Sequence, residues 1–506
     1  MREYDLVILG GALEGRQAAQ TSLAYGARVA LVEPPGLFAR RQQVRYLLQG
    51  LGQLGDGLSR QAVTQWFCTH VDRSIERSPE PELDWSALVH WSAIAAKTQQ
   101  PELSLSALSA SGADVIMAMP ERISRKQVVT AGGRRLSTRA VLAAFGSVPC
   151  AVFESSYFPT PVPTGLENLL DAEVLPSQVF IWGGSFEAVA WAEALCLVGV
   201  KVTLVADPFL PGEDFELKGR LRSQLRSMGM TITSPSDVLN PSKSSFNSSS
   251  FDNYLNEIAN CSVLLGRQKP ALVLPDFVYY PSSQYPEAEE QAFGQTNESQ
   301  QTNPSERTYL LTNQKLQTAH PRIFACGSLI HRNATSTGAA GVEMQVAVRN
   351  ALFLPSRQVD YRSISNGYAR YARIGSSPNF ALAGRSPARQ DGDYQVFSAS
   401  SPNSTDLRRV NPFTSYCKII CKFNRVQSVH LLGDGADGLS KLLANAIGKP
   451  LDYLSNLTGP SSSDTGTDSL TTLVQAAASQ PQQTHWHTGK WRKDWAENWF
   501  NWRRSR

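Results

Sequence analysis

Tyr4–Glu33 reads YDLVILGGALEGRQAAQTSLAYGARVALVE, and this stretch decides the fold. YDLVIL is an apolar run of strand length. GGALEG is a glycine turn, RQAAQTSLAYG a helix that stops at Gly26, and ARVALVE a second strand. The same text returns at Val179–Asp207 as VFIWGGSFEAVAWAEALCLVGVKVTLVAD, with Gly183 standing 173 residues after Gly10. Gly10 to Glu33 spans 23 residues, and so does Gly183 to Ala206. Each unit opens a βαβ element whose turn offers an anion main-chain N–H groups and the positive end of a helix dipole.

Two such turns imply two dinucleotide sites, the plan of a protein that moves a hydride between a nicotinamide and a flavin. The chain is therefore read as α/β, with room in 506 residues for about three domains. The N-terminus meets Asp5 and becomes a strand, which is not the pattern of a signal peptide, and no apolar run is long enough to span a bilayer. Seven scattered cysteines suit a reducing compartment, so a cytoplasmic location is expected. The net charge of +4 is matched by the last 17 residues alone, where six basic residues face two acidic ones. The remainder is formally neutral, and no nucleic-acid partner is expected.

The segments between and after the two turns follow a definite order. Helical text from about Ser59 to Gln99 precedes ALSASGADVIMAMPERIS, a helix end and a buried strand. KQVVTAGGRRLSTRAVLAAFGSVP is a hairpin about Gly132-Gly133 and a strand ending at Gly146. PFLPGEDFELKGRLRSQLRSMGMTI is a helix leading to a strand, CSVLLGRQKP a strand into a turn, HPRIFACGS a strand stopping at Gly327, and GAAGVEMQVAVRNALF a helix. This order resembles the pyridine nucleotide–disulfide oxidoreductases, the family of glutathione reductase, dihydrolipoamide dehydrogenase and mercuric reductase. AFGSVP, GRQKP and ACGS stand where that family has its ATG-x-x-P strand end, GR-x-P turn and AxGD strand end. Residues 416–456 look like its C-terminal interface domain.

The resemblance implies two Rossmann-like dinucleotide-binding domains, of the FAD/NAD(P)-binding type, plus a C-terminal α+β interface domain. Residues 1–150 are expected as the first part of the FAD-binding domain and 151–275 as the NAD(P)-binding domain. A low-complexity insert at 276–307 precedes the second part of the FAD domain, 308–355. Residues 356–458 are expected as a dimerisation-like domain, implying a homodimer. FAD would meet Gly10, Gly11, Gly15 and Glu33, with Gly146, Gly327 and Ser328 toward the ribityl. Gly183, Gly184 and Asp207 would meet NADH or NADPH. Glu33 ends its strand where a carboxylate takes ribose hydroxyls. Ala206 and Asp207 hold that place in the second unit with no arginine for a 2′-phosphate, which slightly favours NADH.

The departures from the family sit at its working positions. PPGLFARRQQVRYLLQG contains none of the CxxxxC cysteines, and the nearest, Cys68, lies too far on. The lysine that follows that motif is missing, its glutamate partner is Ala190, the AxGD aspartate is Ser328, and the C-terminal HPTxxE has no counterpart. The middle glycine of the turn is Ala12 in one unit and Ser185 in the other. Glu14 and Glu187 each put a carboxylate at a helix N-terminus, either repelling a phosphate or capping an empty helix end. No catalytic residue and no metal site is assigned.

Other candidates read as structural. Cys417 and Cys421 lie in a strand, roughly 13 Å apart and beyond disulfide reach. Cys326 and His320 are read as buried packing and a loop position, and His485 with His487 as too few for a metal site. Residues 236–253 and 281–306 are low-complexity loops, and 459–483 a Ser/Thr/Gln-rich linker. Beyond it, residues 484–506 are read as a Trp-rich amphipathic helix. Trp491, Trp495, Trp499 and Trp502 are spaced four, four and three, on one helical face. With its arginines, residues 485–506 suit a membrane surface or a protein partner. Two functions follow. One is a FAD-dependent NAD(P)H oxidoreductase serving a quinone, metal or small-molecule acceptor. The other is a catalytically degenerate scaffold or assembly factor docked through the tail.

Overall fold

A computed structural model describes residues 3–71, 83–98, 100–123, 128–150, 167–184, 186–207, 209–210, 214–234, 237, 262–264, 267–270, 279–281, 308–310, 312–330, 337–359, 370–372, 380–384, 394–402, 414–433, 436–451, 453–454 and 468–478. The Trp-rich segment, His485 and His487, Ser185 and most of the low-complexity text lie outside the described residues.

The opening text folds as read: β1 (Tyr4–Leu9), α1 (Leu13–Ala24) and β2 (Val29–Glu33). Then come α2 (Leu37–Val71), α3 (Trp85–Thr98), α4 (Leu105–Ala110), β3 (Asp114–Met117), β4 (Pro120–Ile123), β5 (Val128–Ala131) and β6 (Arg134–Ala143). Gly132 and Gly133, at φ of 55° and 75°, supply the left-handed pair that a two-residue hairpin turn requires. β3, β2, β1 and β6 are parallel neighbours in that order, and β15 (Ile323–Ala325) joins the far edge of β6, also parallel. Buried Leu6, Val7, Ile8, Leu9, Leu31, Val141 and Leu142 carry this core, which is apolar on both faces as a covered parallel sheet demands.

The second unit repeats the plan. β8 (Gln178–Trp182), α6 (Phe186–Leu197), β9 (Lys201–Val205), α7 (Phe215–Ser227), β10 (Thr231–Thr233) and β11 (Ser262–Leu264) give a parallel sheet ordered β10-β9-β8-β11. This is the same order as β3-β2-β1-β6, so the internal repeat extends beyond the turn to the whole sheet. A short helix, α5 (Glu167–Leu170), precedes it. β7 (Ser147–Cys150) pairs antiparallel with β12 (Arg267–Pro270), and β13 (Tyr279–Pro281) with β14 (Thr308–Leu310). The chain is thus α/β with parallel sheets of the Rossmann-like kind. A third, antiparallel sheet follows α8 (Thr337–Leu352) in the order β16 (Arg370–Ala372), β17 (Phe380–Gly384), β20 (Arg425–Leu432), β19 (Thr414–Lys422) and β18 (Tyr394–Pro402). α9 (Ala436–Ala444) and α10 (Asp468–Ala478) complete it.

Three sequence expectations need correction. Helix was expected from about Ser59, but α2 begins at Leu37. Its glycines, which discourage a helix in isolation, here permit close packing. A Cβ on Gly50 would come within 2.8 Å of Leu88 and Trp91 on α3, and one on Gly55 within 2.6 Å of Leu197 on α6. The strand expected to end at Gly146 ends at Ala143, and a separate β7 begins at Ser147. Within the stretch read as a linker, α10 is helical because Leu470, Leu473, Val474 and Ala477 recur on one face and are buried against the third sheet.

One buried ion pair ties α7 to the third sheet. Asp214 caps α7, accepting the N–H of Glu216 and Leu217, and also accepts from Lys418 Nζ on β19 at 2.7 Å. Both side chains are 7% exposed. Burial acts to raise the Asp214 carboxyl, but the hydrogen bonds from Lys418 and Leu217 outweigh it and hold the group below the usual range. Removing one partner strands the other charge. Lys418→Met is therefore expected to cost about 3–5 kcal/mol in urea unfolding near neutral pH. Because Asp214 is depressed, the pair's contribution is present above the ordinary carboxylate value of about 4 and fades as pH falls through the lowered native value. The wild-type advantage over Lys418→Met should shrink accordingly in acid.

Candidate dinucleotide crevice

The carboxyl ends of β1, β6 and β15 meet at one edge of the first sheet, where α1 starts. Among the expected site residues, this edge brings together Gly10, Gly11, Gly15, Gly146, Gly327 and Ser328. Gly11 sits at φ 132°, Gly146 at 70° and Gly327 at 76°, conformations that a side chain resists. Gly146 is close enough to its neighbours that a Cβ there would lie 3.2 Å from Ala12 Cβ and 3.4 Å from Ser328 Oγ. Ala12, the N-cap of α1, provides no side-chain cap, and the Glu14 carboxyl accepts its own main-chain N–H in the first turn. An anion at this helix N-terminus would share the first turn with the Glu14 carboxyl.

Arg41, from the second turn of α2, lies across the crevice. Its Nη1 donates to Gly11 O at 3.0 Å and to Phe145 O at 2.7 Å. Glu14, in the first turn of α1, points at Gly327: a Cβ built there would lie 3.6–3.8 Å from its carboxyl atoms. The N–H of Gly327 donates to Glu343 Oε2 of α8 at 2.9 Å. Burial pushes the Glu14 carboxyl above the usual range and Glu343 adds to the rise, while the hydrogen bond it accepts from its own main-chain N–H opposes it, followed by the charges of Arg41 and Arg45. Cys326, free and buried, has its thiol pushed far up by burial, with Glu14 and Glu343 adding to the rise. It is a protonated packing residue, not a thiolate.

Glu33 is placed otherwise than the sequence expectation required. Both its oxygens are taken by Arg16, Nε to Oε2 at 3.0 Å and Nη2 to Oε1 at 2.6 Å, and the residue is 1% exposed. Arg16 also donates to Leu103 O and lies 3.6 Å over the Phe38 ring. Glu33 is thus a buried ion-pair partner and presents no open face to a ribose. The diphosphate end of the crevice fits a dinucleotide; the ribose end, as arranged, does not.

In the second unit Gly183, at φ 142°, and Gly184 occupy the corresponding edge, and Asp207 is exposed just beyond β9. Glu187 opens α6. The residue is exposed to solvent. The sequence reading missed Arg41, Arg16 and Glu343. Arg16 was visible as the residue directly after Gly15, and Arg41 as half of an arginine pair in the stretch searched only for cysteines.

The remaining candidates are structural. Cys417 and Cys421 lie on β19 as expected, both free and buried, and burial pushes the Cys421 thiol up to about 12. His320 accepts the Arg322 N–H in a turn. Among the described residues no group of acidic, histidine and cysteine side chains could hold a metal, and no helix is long and apolar enough to cross a membrane.

No protein-family model matches the chain. It is 27% identical over 245 residues to a dihydrolipoyl dehydrogenase of Acholeplasma laidlawii, a match covering 47% of this chain and 70% of that protein. It is 36% identical over 75 residues to a dihydrolipoyl dehydrogenase of Bacillus subtilis (strain 168), covering 14% and 16%. These likenesses support the pyridine nucleotide–disulfide oxidoreductase family. Both likenesses are at modest identity over part of the chain.

The Arg16–Glu33 pair gives a direct test of the site's architecture. Arg16→Met leaves a buried carboxylate and is expected to lower stability by about 3–5 kcal/mol in chemical denaturation. The double variant Arg16→Met with Glu33→Gln should recover part of that loss, and a double variant no more stable than Arg16→Met would contradict the pair.

Proposed function

We propose that the chain is a FAD-dependent NAD(P)H oxidoreductase that passes electrons to an acceptor other than a disulfide, such as a quinone, a metal or a small diffusible molecule. The observation carrying this reading is the duplicated glycine turn, each copy at the carboxyl edge of a parallel sheet of the same strand order. On this reading residues 1–150 and 308–355 form the FAD-binding domain and 151–275 the NAD(P)-binding domain. Residues 356–458 serve as an interface domain between two copies.

Gly10, Gly11 and Gly15 would receive the diphosphate at the start of α1. Gly146, Gly327 and Ser328 would line the path toward the ribityl. Gly183, Gly184 and Asp207 would take the nicotinamide nucleotide, with NADH slightly favoured because no arginine stands there for a 2′-phosphate. The flavin, when bound, supplies a centre that takes two electrons with a hydride and releases them singly or together. The chain's own part is to seat the diphosphate and set the charge of the crevice. The first cysteine in the sequence is Cys68, and Cys326 is protonated and buried. No thiol relay is therefore assigned.

A second reading, a degenerate member of the fold acting as a scaffold, is favoured by one observation: Glu33 is closed by Arg16. The two readings part at an absorption spectrum. Purified protein incubated with excess FAD and desalted should show a flavin band that bleaches anaerobically on NADH addition. A colourless protein supports the scaffold. NADH oxidation, measured with a quinone acceptor, should survive iodoacetamide and be absent with lipoamide or oxidised glutathione.

The tail is proposed as the attachment device under either reading, with tryptophans entering an interface and arginines meeting acidic groups. Deleting residues 484–506 should abolish co-sedimentation with membranes or with a partner, while thermal stability and flavin content stay unchanged. Equal sedimentation of full-length and truncated protein would remove this assignment.

A further inference from the structure

The glycines of the first crevice leave space, and the start of α2 stands in it. A Cβ on Gly11 would lie 2.6 Å from Leu37 Cδ2, and one on Gly146 would lie 2.8 Å from Arg41 Nη1. Arg41 holds its place by donating to Gly11 O at 3.0 Å and to Phe145 O at 2.7 Å. At the ribose end the Phe38 ring lies 3.6 Å from the Arg16 guanidinium. Every nitrogen of that guanidinium is spent, Nε and Nη2 on the oxygens of Glu33 and Nη1 on Leu103 O. Leu37, Phe38 and Arg41 thus cover, between them, the positions read for the diphosphate, the ribose and the path toward the ribityl.

The two parts of α2 are held differently. Leu47 and Leu51 are fully buried in the core of the second sheet, and Gly50 and Gly55 press the helix against α3 and α6. Before them the grip is lighter. Ala39 and Arg40 face solvent, and Arg40 meets Asp171 in an exposed ion pair of little worth. Gly36, directly before the helix, sits at φ 77° with nothing among the described residues within 4 Å of its Cβ position. A glycine in open space is a point where the chain turns without a clash. A segment with few buried apolar contacts also opens at lower cost than one locked into a core.

Resting on the flavin reading above, we propose that Leu37–Arg41 is an intramolecular plug: it occupies the first crevice in the resting chain and must withdraw, pivoting at Gly36, before a dinucleotide can reach the Gly10–Gly15 turn and Glu33. Withdrawal takes the Phe38 ring off Arg16 and opens the Arg16–Glu33 pair to solvent, where such a pair is worth less. The apparent dissociation constant is then the intrinsic one divided by the fraction of chains that are open. Weakening the plug tightens binding, whereas loss of a contact to the ligand weakens it. The two cases differ in sign.

The test is FAD binding to flavin-free, full-length protein, followed by stopped-flow flavin fluorescence. In wild type the observed rate should level off with rising FAD concentration, at the rate of plug opening. Leu37→Ala and Arg41→Gln, checked for an intact fold by circular dichroism, should each bind FAD roughly 3- to 10-fold more tightly and reach a higher plateau. The double variant should bind more tightly still. Hydrogen exchange in wild-type peptides covering residues 34–42 should rise when FAD binds, a readout that stands even if a variant fails to fold. Unchanged affinity and plateau in both variants, or weaker binding by either, overturns the plug while leaving the flavin reading standing. Exchange at residues 34–42 that is unchanged or lowered by bound FAD does the same. FAD binding by the double variant but not by wild type supports the plug in its strongest form. No FAD binding by wild type, the single variants or the double variant overturns the flavin reading and the plug together.

Discussion

Everything at the crevice depends on how closely α1 approaches the ends of β1 and β6. A Cβ at Gly15 would lie 2.9 Å from Gly10 Cα and 3.1 Å from Ala144 O. Both obstacles are backbone, so no rotamer change could relieve them. Because Gly15 is bare, the helix starts directly against the strand ends. Residues on either side of it are then placed by the helix alone. Glu14 falls toward Gly327, and Arg16, on the other side, falls toward the end of β2. The two charged neighbours of one glycine thereby reach the two halves of the crevice.

The second constraint is α2, which follows β2 after three residues. Gly50 and Gly55 let it press against α3 and α6, and Leu47 and Leu51 bury in the core of the second sheet. Its position is therefore fixed by the second unit, while its first turns hang over the first. Leu37 approaches Gly11, Phe38 underlies the Arg16 guanidinium, and Arg41 reaches Gly11 and Phe145. One helix thus packs against both units. The ion pair of Asp214 and Lys418 performs a similar task further on, binding the second sheet to the third.

The repeated βαβ text was legible because apolar period, glycine turn and strand length agree in both copies; the strands fall within two residues of the text, and both helices start three residues earlier, at Leu13 and Phe186. The start of α2 was not. Local propensity argues against helix in a stretch with four glycines between Gly50 and Gly57, and only the contacts with Leu88, Trp91 and Leu197 explain it. The other helix of that kind, α10, hid in Ser- and Thr-rich surroundings that mask a four-residue apolar stripe. The glycines of the candidate site were readable one by one, since each answers a backbone demand. The side chains that set its charge were not: Arg16 and Glu33 are 17 positions apart, and Arg41 reaches Gly11 and Phe145. Pairings of that sort are decided by packing.

Glu14 and Glu187 are the same residue type at the same place in two units, 173 positions apart. Each sits in the first turn of its helix, where a carboxylate is favourable to the bare helix and unfavourable to a phosphate. Glu14 is raised by burial. A crevice maintained only for stability has cheaper solutions, because apolar side chains of similar volume avoid the desolvation of several charges sharing few partners. Local rules broken at matching points of a repeat mark places where a fold gives up stability for something else. The arrangement is intelligible if the two carboxyl groups set a threshold that an incoming anion must overcome.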